Sequence, residues 1–178
     1  MFSSLADGSR HPNGWPCRIR VCGQYETRQH GEAWGTTHLV SMRGSRVRLF
    51  TMAGIADDRH LRLVFDDTLD QADLNAPTIG HVDEVCRFVD ALPADANLLV
   101  HCLQGMHRST AVTLGILARY LPPEDAGAAL HALRPMAIPN ALMVGHWDAA
   151  LGYDGALLET AKRFPRREWN ATPRRASQ

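Results

Sequence analysis

The residues best suited to chemistry fall in one stretch: Leu98-Leu99-Val100-His101-Cys102-Leu103-Gln104-Gly105-Met106-His107-Arg108-Ser109-Thr110. Cys102 offers a thiol nucleophile. Arg108 offers a guanidinium that grips an oxyanion through two parallel hydrogen bonds. Ser109 offers a hydroxyl able to steady a sulfur anion. An apolar run ends at His101-Cys102, and Ala111, Val112, Leu114, Ile116 and Leu117 follow at helical spacing. This pattern predicts strand, tight loop, helix, with Gly105 supplying the turn. Backbone N–H groups at a helix start are unpaired and make an anion site. Loop amides, helix dipole and Arg108 would all favour a thiolate at Cys102. The plain alternative is a structural cysteine at a strand end, which would not need Gly-x-x-Arg-Ser-Thr after it.

His101-Cys102, then Leu103 to His107, then Arg108-Ser109 resembles the His-Cys-x5-Arg-Ser/Thr signature of the cysteine-dependent protein tyrosine phosphatase superfamily. The segment Phe65-Asp66-Asp67 is similar to the acid-bearing segment of its compact bacterial dual-specificity-like branch. The resemblance implies a metal-independent phosphatase acting on phosphotyrosine or related phosphomonoesters, with Cys102 forming a phosphocysteine. Arg108 and the amides of Leu103, Gln104, Gly105, Met106 and His107 would hold the phosphate. Ser109 would steady the departing thiolate, and His101 would fix the loop and tune the thiol. The general acid would be Asp67, with Asp66 as the alternative and Asp70 or Glu32 behind them. Ile138-Pro139-Asn140 resembles the Pro-Asn of the same family, where the Asn supports the phosphate loop from behind. A helix N-cap is an equal reading of Asn140.

The loop departs from common members at Gln104, Met106 and His107, and Met143 and His146-Trp147 replace the usual Phe and Gln-Leu. Phosphoinositide-directed relatives carry Lys in this loop. Here only His107 stands there, which argues against polyphosphorylated substrates. Two other readings stay open: a phospho-ligand-binding module with little turnover, and a rhodanese- or arsenate-reductase-like thiol enzyme.

Composition narrows the setting. The 178 residues suit one domain, and formal net charge is zero, which gives no support to nucleic acid or membrane partners. Cys17, Cys22, Cys86 and Cys102 show neither disulfide-framework nor zinc spacing. No apolar leader or bilayer-length run is visible, so the expectation is a reduced, cytoplasmic chain without a cofactor. Its partner would be a phosphorylated protein or a small phosphomonoester. Oligomeric state is not legible.

To position Cys102, the chain must supply a sheet and covering helices. Arg18 to Cys22 alternates like an edge strand, Gly23 to Gly35 reads as a polar loop, and Thr37 to Met42 as a buried strand. Val47 to Met52 fits strand or loop. Arg59 to Phe65 reads as a strand running into Asp66-Asp67-Thr68. Helices are expected over Thr78–Leu92, Ser109–Leu121, Glu124–Leu133, Asn140–Leu151 and Gly155–Arg163. The fold expected is a three-layer α/β sandwich with a central, mostly parallel sheet. Ligands bind such sheets at the strand carboxyl ends, where Cys102, Asp66 and Asp67 fall. Residues 1–16 read as a mobile arm, 17–163 as a single phosphatase domain, and 164–178 as a basic tail.

Overall fold

A computed structural model describes residues 18–47 and 52–165. The expected terminal arm, most of the basic tail and the centre of the Val47–Met52 segment lie outside the described residues. Four strands, β1 (Arg18–Gly23), β2 (His38–Arg43), β3 (His60–Val64) and β4 (Asn97–Cys102), form one sheet. Its order is β1-β4-β2-β3 and every neighbouring pair is parallel. Among the described residues there are six α-helices: α1 (Thr27–Trp34), α2 (Ile79–Asp90), α3 (Arg108–Ala118), α4 (Pro123–Leu133), α5 (Ala141–Leu151) and α6 (Ala156–Ala161).

Strand alternation sends successive side chains to opposite faces. Leu98, Val100 and Cys102 of β4 join the large core formed with Val112, Leu114, Ile116, Met143, Val144 and Trp147. Leu99 turns the other way, into a smaller cluster with Cys22 and Leu39 that Trp34, Met52 and Ile55 cover. The β4 strand is interior, flanked by β1 and β2, and all six of its residues are buried. Such burial on both faces explains its nearly unbroken apolar run. The catalytic-type loop therefore hangs from the most enclosed strand of the sheet.

Helix α3 is buried along its whole length, its polar first turn (Arg108, Ser109, Thr110) at the candidate site and its later residues mostly apolar. Gly115 lets it approach α5: a Cβ there would meet the Trp147 ring at 2.0 Å. Pro123 opens α4, Asn140 caps α5, and Gly152 ends α5 with φ at 68°. Phe164 packs into the core although it lies just past the expected domain end.

One expectation fails. Gly23 to Gly35 is not a loop but a single turn over Gln24–Glu26 followed by α1. The helix escapes an apolar-periodicity reading because its inward residues are Thr27 and His30, not aliphatics. A Cβ on Gly31 would meet the Met52 methyl at 1.9 Å, a flexible side-chain end that would have to swing aside.

Candidate active site

Cys102 ends β4, with its sulfur 3.2 Å from the Ser109 hydroxyl and 3.3 Å from the Gly105 amide that donates to it. The intervening loop turns its carbonyls away from that sulfur and engages them on the far side. Leu103 O accepts from Gln24 N at 3.1 Å, Gly105 O from Arg134 Nε at 3.1 Å, and Gln104 O lies 3.5 Å from Arg134 Nη2. Met106 O accepts from Ile138 N at 2.9 Å, and His107 O from Ala111 N at 2.9 Å and Asn140 N at 3.2 Å. The Thr110 hydroxyl also bonds both of these carbonyls. In a trans peptide the carbonyl and the next N–H point in opposite directions. Carbonyls turned back from Leu103 to His107 thus turn the amides of Gln104 to Arg108 toward the front.

Gly105 is required by this path. Its φ is 70°, and a Cβ would fall 2.3 Å from Gly23 N and 2.4 Å from the Cys22 carbonyl carbon. Arg108 opens α3 at 8% exposure, and its Nη1 donates to the Phe65 carbonyl at 3.0 Å. Its Nε is buried with no protein partner among the described residues, the kind of donor a bound oxyanion satisfies.

The loop after β3 brings the two aspartates to this front. Both oxygens of Asp67 are occupied: Oδ2 lies 2.6 Å from His107 Nδ1, and Oδ1 accepts from Asn140 Nδ2 at 2.9 Å. Burial would push its carboxyl up, but the hydrogen bonds from His107 and Asn140, with Arg108 nearby, hold it below the usual carboxylate range. Asp66 is committed elsewhere. Its oxygens accept from Ser45 N at 2.8 Å and Ser45 Oγ at 2.9 Å. The backbone bond above all, with the Ser45 hydroxyl and Arg108, lowers it against the opposing effect of burial. Asp70 accepts from Ala72 N in a turn, and Glu32 pairs with Arg28 on exposed α1.

Asn140 serves two places at once. Its Oδ1 accepts from Met143 N at 3.0 Å, capping α5, and its Nδ2 bonds Asp67 and the Thr68 carbonyl. The contact to the phosphate-type loop comes from its backbone N–H, not from its side chain. His101 faces the other side of the sheet. Its Nε2 meets the Ser41 hydroxyl at 2.6 Å, and that hydroxyl meets His60 Nε2 at 2.7 Å. Burial lowers both imidazoles to about 4, so both are neutral at physiological pH.

No family model matches the sequence, and no curated protein matches it. Solved structures do match. DUSP15 aligns at 19% identity with a TM-score of 0.58, over 88% of this chain and 96% of that one. Human DUSP28 aligns at 21% and 0.56, over 78% and 94%. PTPMT1, in its complex with PI(5)P, aligns at 19% and 0.54, over 82% and 96%. The fold is that of the dual-specificity and tyrosine phosphatases.

Several positioning residues were not legible in the sequence. Arg134 is 6% exposed and forks onto Glu26 at 3.0 and 2.9 Å while its Nε holds the loop. Glu26 in turn accepts from Gly23 N at 2.6 Å. Neither residue belongs to a local motif. For Ser41 a signal existed: a lone hydroxyl inside the apolar run Leu39-Val40-Ser41-Met42. Cys22 and Cys86 are core or core-flanking thiols, and burial raises both. Among the described residues no helix is long and apolar enough to cross a membrane.

Proposed function

We propose that this chain is a phosphatase of the compact dual-specificity type, working through a phosphocysteine. The observation that carries the reading is the loop from Cys102 to Ser109. The Gly105 amide donates to the Cys102 sulfur, the loop carbonyls are engaged by other elements, and the Asp67 carboxyl contacts the same loop through His107. Preorganised donors of this kind stabilise charge on the equatorial oxygens of a transferring phosphoryl group.

In the first step Cys102 Sγ attacks phosphorus. The S–P bond forms, the P–O bond breaks, and Asp67 supplies the proton that the leaving oxygen takes. In the second step Asp67 accepts a proton from water as the water oxygen attacks phosphorus. The S–P bond breaks, and Ser109 steadies the departing thiolate from 3.2 Å. Asp66, held by Ser45, keeps the turn and faces Arg108 with a negative charge. The substrate proposed is a phosphomonoester, its phosphate held by Arg108 and the loop amides.

Hydrolysis of phenyl phosphate in EDTA tests this. Wild type should turn over, and Cys102→Ser should lose at least about 10^4-fold. Asp67→Asn should lose roughly 10^2- to 10^3-fold and Asp66→Asn only about threefold. Activity surviving Cys102→Ser would overturn the reading. The reverse order of the two aspartates would move the acid to Asp66.

A further inference from the structure

A carboxylate fixed as Asp67 is poses a proton problem. Two donors, His107 and Asn140, occupy its two oxygens, and Arg108 adds positive charge. All three favour the ionised form, and an ionised carboxylate has no proton to give a leaving oxygen. The proton must come from a group in contact with it that titrates in the working range. Asn140 does not titrate there, and an arginine keeps its charge. Imidazole is the side chain that ordinarily gains and loses a proton between pH 5 and 8. His107 touches Asp67 at 2.6 Å and is 7% exposed. Its Nε2 is buried with no hydrogen-bond partner among the described residues, so its one polar contact there is Asp67.

We propose that His107 is the proton-holding partner of Asp67: the pair, and not the carboxyl alone, stores the proton delivered to the leaving oxygen. This rests on the phosphatase reading above. The resting pair holds one exchangeable proton between Nδ1 and Oδ2. As Sγ–P forms and P–O breaks, the leaving oxygen takes that proton from Oδ2, leaving a neutral imidazole and a carboxylate. When water attacks the phosphocysteine, its proton passes to Asp67 and restores the pair, while the S–P electrons return to Cys102. His107 acts through Asp67 and is a positioning residue. The charged and titratable groups facing the pair are Arg108 at the start of α3, the carboxyl of Asp67 itself and Lys162 at the end of α6, which lines the same cavity as Asp67 and His107, with Asn140 supplying a neutral donor from the α5 cap.

The test uses His107→Asn and His107→Gln in the full chain, with two substrates. Phenyl phosphate needs its leaving oxygen protonated, whereas p-nitrophenyl phosphate needs this far less. The expectation is a kcat loss of about 10- to 30-fold on phenyl phosphate and less than about threefold on p-nitrophenyl phosphate. The high-pH limb for phenyl phosphate should also move down by about one unit. Equal losses on both substrates with weakened vanadate binding would overturn the proposal, since His107 would then merely shape the loop. An unmoved limb would overturn it too. A readout without turnover is the ring-nitrogen NMR titration of His107, whose midpoint should shift in Asp67→Asn; no shift refutes the pairing. A wild type inactive on both substrates would refute the phosphatase reading itself, a result distinct from an active enzyme indifferent to His107.

Discussion

The two halves of the site are assembled in opposite ways. The proposed nucleophile half is contiguous in sequence: Cys102, the loop amides, Arg108 and Ser109 follow one another between one strand and one helix, and Gln24, Arg134, Ile138 and Asn140 brace the loop carbonyls from outside. The acid half is composite. Asp67 comes from the loop after β3, His107 from the phosphate-type loop, Asn140 from the cap of α5, and Ser45 holds the neighbouring Asp66 from beyond β2. A contiguous site is shaped by local backbone geometry, so its errors should be all-or-none. A composite site is shaped by separable contacts, so its errors should be graded.

The largest effect is expected where local geometry has no tolerance. Gly105→Ala would require a left-handed φ and place a Cβ 2.3 to 2.6 Å from the backbone of Cys22 and Gly23. Aryl phosphatase activity should fall by more than about 10^2-fold, with a stability loss of about 3 kcal/mol in urea titration. A near-normal Gly105→Ala enzyme would break the claim that this half is all-or-none.

Next in size is Arg134→Met, which removes the side-chain donor to the Gly105 carbonyl and the arginine fork on the partly buried Glu26 carboxylate, leaving Glu26 the Gly23 N–H. Losses of about 2 kcal/mol in stability and about tenfold in vanadate affinity are expected. Arg134→Lys should recover only part, because an ammonium does not reproduce the fork onto Glu26 and the Nε contact together. If both variants bound vanadate normally, the clamp would hold the fold but not the cradle.

The same contrast explains what the sequence discloses. Leu98 to Thr110 can be read directly because its strand, glycine, arginine and helix lie within one local pattern. The strand alternation at Arg18–Cys22 and Arg59–Phe65 likewise carries its own period, and both appear as strands of one parallel sheet. Resemblance favoured Asp67 with Asp66 as the alternative, but the contacts that distinguish their surroundings were not legible, because His107, Asn140 and Ser45 arrive from three other places. Arg134 and Glu26 were invisible for the same reason, and α1 because its inner face is polar. Long-range polar pairings leave no periodicity to read.

A further contrast separates the halves by pH. Behind the nucleophile, Ser41 bridges the imidazoles of His60 and His101, both lowered by burial to about 4. An exposed histidine titrates near 6.5. Between those values the unfolded chain binds more protons than the folded one, so stability falls as pH drops, by about 2 kcal/mol per imidazole from pH 7 to 5. The aspartates behave differently. Asp66 and Asp67 have lowered folded values, so their contribution is present above about pH 4 and disappears only below it. Urea titrations at pH 7 and 5 should therefore show a loss that His60→Asn reduces and Asp66→Asn leaves in place. A pH 7-to-5 loss as large in His60→Asn as in wild type would mean that the imidazole pair is not what acid attacks first, and that the rear of the nucleophile half is no more acid-sensitive than the front.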